Sequence, residues 1–425
     1  MLVVLAITMA INVPIAVSLG LGGIAYLVAK GQTDLLSIVA PRMFAGMNSF
    51  ELLAIPMFVL SGDIMYQGRV SKALVDLARV FVGRIKGGMS AVTTLACMFF
   101  GAVSGSGPAT ASAIGSVVAP DMKEEGYPPE YTAAVISASG PLGALIPPSI
   151  MMVTFGATTN TSVGKLLLGG VGAGVLFGAF TMIHSWWTCG KRGFGVVRRE
   201  KLTLRGILRA FREAAWALVT PLIILGGIYG GIFTPTEAAA VSVAYSLFLV
   251  LVVYRSVKLR DLPALLARSA ETAAGVMFVV GAVAVFGWVL TREQIPQMLA
   301  RAAIEHNLSQ LTLLVIINIA FLIAGMFMNG SAAILLLMPV FMPIVSAMKI
   351  DPVFLGVMVV ANLCIGMMTP PVALSLYVAC RITKAQMSGA IRETIPFVFV
   401  QVVALAVLVL CPPIATYLPA LLFGK

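Results

Sequence analysis

The sequence predicts an all-α polytopic membrane protein built from two inverted repeats, each with a re-entrant helical hairpin. Of its 425 residues, 60% are hydrophobic and only 11% are charged, whereas soluble proteins are about 45–50% apolar and about 25% charged. Long apolar runs recur along the chain, and two of them are interrupted near the middle by small polar residues, glycine or proline. This composition excludes a soluble globular protein, a disordered chain and a coiled coil.

Nine apolar runs are candidate full crossings, because a bilayer core needs about 20 apolar residues per helix. The first run has no basic region before it and no evident cleavage site, so we interpret it as a retained first helix rather than a signal peptide. The runs are approximately 2–28, 50–66, 132–157, 163–188, 214–233, 236–254, 272–290, 353–379 and 394–423.

Two further runs, 87–120 and 311–347, are too long for one helix and predict pairs of half-depth helices joined at a tip. Non-helical backbone is tolerated at membrane depth only where protein or a water-filled cavity surrounds it. Both tips are therefore candidate functional sites. The amphipathic segments 70–85 and 293–306 predict interfacial helices, which either brace a moving part against a scaffold or simply contact lipid.

The basic residues indicate how the chain is oriented. The net charge is +11, and 21 of the 28 lysines and arginines lie at Lys123 and in the loops 69–86, 191–212, 255–268 and 381–392. Threading the runs in alternating directions places all of them on one face, which the positive-inside rule makes the cytoplasmic face. The N-terminus is then inside, the first hairpin opens inward and the second opens outward.

The two interrupted hairpins belong to an internal repeat. Gly101-Ala-Val-Ser-Gly-Ser-Gly-Pro-Ala-Thr110 corresponds to the segment from Gly325 to Ile334, and in each half a crossing broken by glycine and Pro-Pro follows. Interrupted segments at matching positions of two inverted halves are the best sequence indication of a secondary transporter's binding site. The alternative is that the small residues only allow close helix packing and the prolines only kink the helices.

The broken segments contain neutral oxygens and no carboxylate. Sodium prefers oxygen ligands, as other hard cations do, and freed helix N-termini suit an anionic substrate. The absence of an Asp or Glu from both tips favours sodium coupling over proton coupling. The side chains that supply these oxygens are Ser104, Ser106, Thr110, Asn329, Ser331 and Thr369.

Four motifs together resemble the large membrane subunit of tripartite ATP-independent periplasmic (TRAP) transporters. They are the segment from Gly101 to Thr110, Gly231-Ile-Phe-Thr-Pro-Thr-Glu-Ala-Ala-Ala240, Arg42-Met-Phe-Ala-Gly46 and Leu53-Ala-Ile-Pro-Met57. The resemblance covers essentially the whole chain. It implies a fold of the ion-transporter superfamily, an elevator-like transport domain, and residence in the bacterial inner membrane.

The resemblance also implies what the protein works with. The partners would be a separate small four-helix membrane subunit and a periplasmic substrate-binding protein, since no small-subunit helices are fused to this chain. Sodium would be the coupling ion, with no organic cofactor, and the substrate would be an organic acid such as a C4-dicarboxylate, a sialic acid or a keto acid.

Carried over residue by residue, the resemblance implies two sodium sites and a substrate site between the tips. The first sodium site would use Ser104, Gly105, Ser106, Gly140 and Gly143. The second would use Gly325, Asn329, Gly366, Met367 and Thr369. The substrate would contact Arg42, Ser106, Pro108, Thr110, Ser149, Asn329, Ser331 and Pro370.

The domain organisation follows from the repeats. Residues 1–190 form the first repeat, with the hairpin 87–120 and the broken helix 132–157. Residues 191–213 form a basic cytoplasmic linker. Residues 214–425 contain a linking helix and the second repeat, with the hairpin 311–347 and the broken helix 353–379.

Three charged residues have two interpretations each. Arg42 would meet a substrate carboxylate through a bidentate contact, or it is an interfacial anchor whose side chain reaches water. Glu237 follows Thr234-Pro235-Thr236, a helix-start pattern that favours a capping role. Asp63 is enclosed by apolar sequence, and its role stays open between function and structure.

Other function classes fit the sequence less well. An intramembrane enzyme would need a nucleophile and base or a metal cluster, yet no HExxH or GxSxG motif occurs. A channel is a second alternative, but inverted hairpins around one site favour alternating access. No ATP-binding loop of the GxxxxGK[ST] type is present. A sodium/dicarboxylate symporter that works without a binding protein stays as the main alternative.

Overall fold

The computed structural model describes every residue except 12, 68–69, 196–202, 306–307 and 424–425. The described residues form helices, turns and loops. The α-helices, numbered in chain order, are α1 Leu2–Ala10, α2 Ile15–Ala29, α3 Val39–Met47, α4 Ala54–Gln67, α5 Val70–Val82, α6 Gly88–Ser104, α7 Gly107–Glu124, α8 Pro129–Ser139, α9 Leu142–Leu145, α10 Ile150–Thr159, α11 Val163–Arg192, α12 Leu204–Tyr229, α13 Pro235–Phe248, α14 Leu262–Arg292, α15 Ile295–Glu305, α16 Gln310–Phe327, α17 Gly330–Ala347, α18 Pro352–Met368, α19 Leu374–Thr383, α20 Met387–Leu410 and α21 Pro413–Phe423.

Much of the helical structure is long and apolar enough to cross a bilayer. Seven helices of the described chain meet this condition, and the number rises to nine if each of two bent pairs is one crossing. The bent pairs are Thr33–Met47 with Glu51–Gln67, at 68°, and Pro129–Leu145 with Ile150–Thr159, at 44°. The predicted all-α polytopic fold class is therefore confirmed, and the protein is a multi-pass membrane protein.

The helices pack as two groups. One group, which we call the frame, contains α1–α4 and α12–α14, with α14 packed against α2, α3 and α4. The other group, which we call the hairpin body, contains α6–α11 and α16–α21, including both helix pairs from the two interrupted runs. Fully buried phenylalanines fill the hairpin body, among them Phe100, Phe155 and Phe177.

Two amphipathic helices connect these groups in equivalent ways. Helix α5 packs against α12 of the frame and against α6 and α7 of the hairpin body. Helix α15 packs against α14 of the frame and against α17 of the hairpin body. Each therefore lies between the frame and one hairpin. The apolar side of α5, with Leu74 and Leu77, is buried against protein, whereas Met298 and Leu299 of α15 are exposed.

The first and last apolar runs are each divided, contrary to the single helices that we predicted for 2–28 and 394–423. The first run forms α1 and α2, and Pro14 is the residue immediately before α2. The last run forms α20 and α21, with Cys411 and Pro412 between them. In both places proline lacks the N–H that a continuous helix would need.

The linker that we predicted for 191–213 is shorter. Helix α11 continues to Arg192, and α12 begins at Leu204, where the Thr203 hydroxyl accepts a hydrogen bond from the Gly206 N–H. The segment 204–213 is basic, yet it is helical because it is rich in arginine, leucine and other good helix formers. The middle of the predicted linker, 196–202, lies outside the described residues, as does Arg69 of the first basic cluster.

The structure also assigns the two enclosed carboxylates. Thr234 and Glu237 form a capping box at the start of α13, so the capping interpretation of Glu237 is confirmed. Asp63 on α4 accepts a hydrogen bond from the Ser269 hydroxyl at 2.7 Å, which links α4 to α14 within the frame. The contact gives Asp63 a structural partner.

Candidate functional site

The tip of the first hairpin is a tight turn between α6 and α7. Gly105 has a left-handed backbone (φ +65°), and Ser106 precedes α7 in an extended conformation. The hydroxyls of Ser104 and Thr110 share a hydrogen bond of 2.9 Å and are both buried. The Ser106 N–H donates to the Ser104 hydroxyl at 3.4 Å. The tip thus gathers neutral oxygens beside the N-terminus of α7.

The crossing that follows is broken where the sequence predicts it. Helix α8 ends at Ser139, the short α9 follows, and α10 begins at Ile150 after the cis Pro147–Pro148 bond. The Ile150 N–H donates to the Gly105 carbonyl at 3.3 Å, which joins the break to the hairpin tip. The Ser149 hydroxyl accepts from the Met152 N–H and donates to the Ala144 carbonyl, so its described role is to cap α10.

The second repeat has corresponding breaks. Asn329 precedes α17, and its side-chain oxygen accepts from the Ser331 N–H at 2.9 Å. Helix α18 ends before the cis Pro370–Pro371 bond, and the Thr369 hydroxyl donates back to the Ile365 carbonyl. The Val372 N–H donates to the Met326 carbonyl at 3.2 Å, so this break too is bonded to its own hairpin.

The repeat relationship extends to individual contacts. In the first repeat, Thr94 of α6 and Ser139 of α8 share a hydrogen bond of 2.9 Å. In the second, Asn362 of α18 donates to the side-chain oxygen of Asn318 of α16 at 2.8 Å. Thr94 and Asn318 each precede a tip glycine by seven residues, while Ser139 and Asn362 each precede a break glycine by four. The same architecture is therefore built twice.

The tip and break glycines of each repeat touch through their backbones. A methyl group on Gly101 would overlap the Cα of Gly143, and one on Gly143 would overlap the Thr110 hydroxyl. In the second repeat, a Cβ on Gly366 would lie 2.8 Å from the Cα of Gly325. A Cβ on Gly140 would overlap that of Ala111. Only glycine allows these approaches.

The two repeats meet through these same segments. The Cys364 thiol donates to the Pro141 carbonyl at 3.1 Å, and Met367 packs against Gly107 of the first hairpin. On the other side, the second hairpin reaches α10 of the first repeat, where the hydroxyls of Thr154 and Ser331 lie 3.4 Å apart. Both tips and both breaks therefore come together within the hairpin body, where the first tip and break are largely buried while Asn329 and Val372 of the second repeat are exposed.

The structure brings together most of the predicted site residues. Those at the two tips and two breaks are joined by the contacts above, with Pro108 in the first turn of α7 and Pro370 at the second break. Arg42 is the exception. It is exposed on α3, and its described contact is with the Trp288 ring of α14, 5.6 Å from the ring centroid. That contact favours the anchor interpretation.

Several residues of this region were not predicted from the sequence. They are Thr94, Asn318 and Thr154, which lie inside apolar runs, and the buried Gln401 of α20, whose amide donates to the Ala138 carbonyl at 2.9 Å. The sequence feature that could have identified them is a polar residue within a long apolar run. It identifies candidates but not the partner that each residue contacts.

A double-mutant cycle on Asn318 and Asn362 should detect the interaction between them. We expect the two Ala substitutions to be non-additive by about 1 kcal/mol, a typical value for a hydrogen bond. The measurement is the unfolding free energy of the four proteins in detergent. The corresponding cycle on Thr94 and Ser139 is the matched test, and additive effects in both cycles would contradict the pairing.

A charged cavity of about 910 Å³ lies at the base of the first hairpin, between α5, α7 and α12. Arg79 of α5 forms an ion pair with Asp121 of α7 in its wall. Arg209 and Glu213 pair within α12, at 2.7 Å. Burial raises the pKa of the Asp76 carboxyl, although the nearby Arg79 and Lys72 act in the opposite direction. The cavity thus adjoins the contact between the amphipathic helix α5 and the first hairpin.

Comparison with known proteins agrees with this architecture. The profile of the family described as "Tripartite ATP-independent periplasmic transporter, DctM component" matches residues 2–414. The C4-dicarboxylate TRAP transporter large permease protein DctM of Pseudomonas aeruginosa is 42% identical over 402 residues, covering 95% of this chain and 93% of that protein. The sialic acid TRAP transporter large permease protein SiaM of Vibrio cholerae is 37% identical over 413 residues, covering 97% and 96%.

A solved structure supports the fold alone. MtrF of Neisseria gonorrhoeae, described as illuminating a class of antimetabolite efflux pumps, superposes with a TM-score of 0.63 at 13% identity, covering 91% of this chain and 85% of that one. The sequence matches, by contrast, extend over nearly the full length at identities that establish kinship. The chain therefore belongs to the DctM family, as a large permease subunit of a TRAP transporter of the bacterial inner membrane.

Proposed function

We propose that this chain is the permease of a sodium-coupled transporter that imports a small organic acid by an elevator-type movement. A periplasmic binding protein would deliver the substrate, and a separate small membrane subunit would complete the assembly. The observation that carries the proposal is the meeting of two tips and two breaks within the hairpin body, bonded tip to break in each repeat. This is the arrangement expected for a binding site shared by inverted repeats.

Sodium coupling is supported by the composition of the four segments. Residues 101–110, 139–148, 325–334 and 362–371 contain no Asp, Glu, Lys or Arg. The ligands that they offer are backbone carbonyls freed by the breaks together with serine, threonine and asparagine oxygens, which suit a hard cation. A proton-coupled carrier would be expected to hold a titratable carboxylate at this place.

An anionic substrate is supported by the helix ends. Helices α7 and α17 both begin at hairpin tips, so their first N–H groups and their positive dipole ends point into the region where the repeats meet. The relatives from Pseudomonas aeruginosa and Vibrio cholerae are named for C4-dicarboxylates and sialic acid, both of which carry carboxylates. A carboxylate is therefore the group that we assign to this place.

The elevator movement is supported by the division into frame and hairpin body. Helices α5 and α15 are arms that join the two, one at each hairpin. The frame meets the first tip at Gly62 of α4, where a Cβ would lie 3.0 Å from the Ser104 carbonyl oxygen. Because no side chain projects from the glycine at this contact, the frame and the hairpin body can slide past each other there, as shear motions require.

Reconstitution into liposomes tests the proposal. The chain is assembled with and without a candidate small subunit and binding protein, and uptake of succinate or sialic acid is followed under a sodium or a proton gradient. We expect uptake only with all three proteins and an inward sodium gradient. Uptake by this chain alone would show that it is a symporter that works without a binding protein. Uptake that does not depend on the sodium gradient would refute sodium coupling.

Two substitutions localise the sodium sites. Ser106→Ala and Asn329→Ala should each raise the sodium concentration needed for half-maximal uptake about ten-fold, as expected when an oxygen ligand to a cation is lost. Because Asn329 also caps α17, Asn329→Ser serves as a variant that retains a capping side chain. Ser116→Ala, at an exposed position of α7, is the matched control. Unchanged sodium dependence in both test variants would argue against these sites.

A further inference from the structure

A second, smaller pocket lies at the end of α11, where this helix packs against α8 and α20. Its volume is about 190 Å³. Glu393 of α20 is the one carboxylate among the lining residues, and both of its oxygens accept hydrogen bonds from Nη1 of Arg192, at 2.8 and 2.7 Å. The pair joins α11 to α20 and neutralises the acidic charge of the pocket.

Two further cations lie at this end of the two helices: Lys191 lines the pocket, and Arg392 adjoins the lining residue Glu393 in the chain. Lys191 is exposed, and its Nζ lies 3.8 Å from the centroid of the Trp187 ring. Arg392 is also exposed and precedes Pro396, a lining residue, by one helical turn. Neither cation has a carboxylate within ion-pair distance among the ion pairs of the described residues. Among the described residues, this end of the two helices therefore carries an excess of positive charge.

Exposed apolar side chains continue from these cations along both helices. On α11, Ile183, Trp187 and Lys191 lie four residues apart on one face, and Ile183 is 62% exposed. On α20, Ile395 and Phe399 follow Arg392 and are 60% and 67% exposed. Because α11 ends and α20 begins on the face with the basic loops, both apolar stripes run from the cations into the membrane.

We propose that this pocket binds the phosphate headgroup of an anionic phospholipid from the leaflet on the basic face. Lys191 and the guanidinium N–H groups of Arg192 that Glu393 does not use would donate to phosphate oxygens. The acyl chains would cover Ile183, Ile395 and Phe399. A free phosphate would satisfy the cations but would leave the apolar stripes uncovered, so the whole surface fits a lipid better than an inorganic anion.

Such a site lies at the ends of α11 and α20, the two longest helices of the hairpin body, and does not include the tips. The lipid would strengthen the α11–α20 contact that Arg192 and Glu393 already make. The site is independent of the substrate and of the coupling ion, and its test needs no transport measurement.

The probe is phosphatidylglycerol, counted by native mass spectrometry after transfer from mixed phosphatidylcholine and phosphatidylglycerol nanodiscs into detergent. We expect the wild type to retain phosphatidylglycerol, and the double variant Lys191→Gln with Arg392→Gln to retain about ten-fold less, since each cation near the surface attracts the anionic headgroup. The double variant Lys191→Arg with Arg392→Lys keeps both charges and should retain the lipid. Lys123→Gln with Lys258→Gln removes two other exposed cations and is the matched control.

Three results would overturn the proposal. The first is equal retention by the wild type and the variant without the two cations. The second is displacement of the lipid by millimolar inorganic phosphate, which would indicate a site for a free anion. The third is loss of retention when the small membrane subunit is bound, which would indicate that protein covers this face. Melting in phosphatidylcholine alone checks folding, and a variant that melts early is replaced by Lys191→Gln alone.

Discussion

Gly101→Ala should abolish substrate uptake while leaving membrane insertion intact. The added methyl group would overlap the Cα of Gly143, a backbone atom that has no rotamer with which to move away. The tip of the first hairpin and the broken helix must then separate, at a cost of about 1–3 kcal/mol as in overpacked cores. Uptake into liposomes and the melting temperature in detergent are the measurements.

The second repeat contains the equivalent contact, which allows a second test. Gly366→Ala places a Cβ 2.8 Å from the backbone of Gly325, so it should impair uptake in the same way. Gly226→Ala on α12 is the control, because nothing lies within 4 Å of its added methyl group, and alanine is the better helix former by about 1 kcal/mol. Normal uptake by Gly101→Ala would show that the close contact is dispensable.

Asp121→Asn should loosen the base of the first hairpin from its arm helix. The ion pair between Arg79 and Asp121 is only partly exposed, at 27% and 29% of the two side chains. Its loss leaves Arg79 without that partner and should cost about 1 kcal/mol, between the values for exposed and buried pairs. A loss of this size changes the ratio between the conformation in which α5 is held against the first hairpin and the one in which it is released about five-fold.

A cysteine in the cavity wall reports this change. In a background with the exposed Cys411 replaced, Val80→Cys on α5 should react several-fold faster with a water-soluble maleimide when Asp121→Asn is added. Arg79→Asp combined with Asp121→Arg restores opposite charges and should return the rate towards that of the parent. Arg209→Gln removes another cation of the same cavity, whose partner Glu213 lies on its own helix, and should change little. Equal labelling in all variants would show that the ion pair between Arg79 and Asp121 does not hold α5 against the first hairpin.

The sequence predicts the architecture well because its signals are local. The breaks at Gly105 and at Pro147–Pro148 and Pro370–Pro371 are visible as glycine and proline within apolar runs, and the structure places helix ends there. The amphipathic pattern of 70–85 likewise coincides with the helix Val70–Val82. In each case the residues that determine the local conformation are themselves the signal.

The contacts between segments were not predictable in the same way. No local pattern pairs Thr94 with Ser139 or brings Ser331 to within 3.4 Å of Thr154, because these residues are far apart in sequence. For Arg42, the sequence suggests a role that the structure does not support. A lone cation in an apolar stretch suggests a ligand, but a single ring on a distant helix suffices to explain its position. Helix ends in charged sequence, such as Leu204, were also missed because apolar length was the criterion.

The glycine contact at the centre of each repeat has an evolutionary consequence. A surface in which backbone meets backbone has no side chain to exchange, so single substitutions there can only damage it. We therefore expect changes of substrate preference to arise at side chains outside these glycine contacts, while the glycine core stays as it is. A permease of this design can diversify what it carries while the framework that holds its two hairpins remains unchanged.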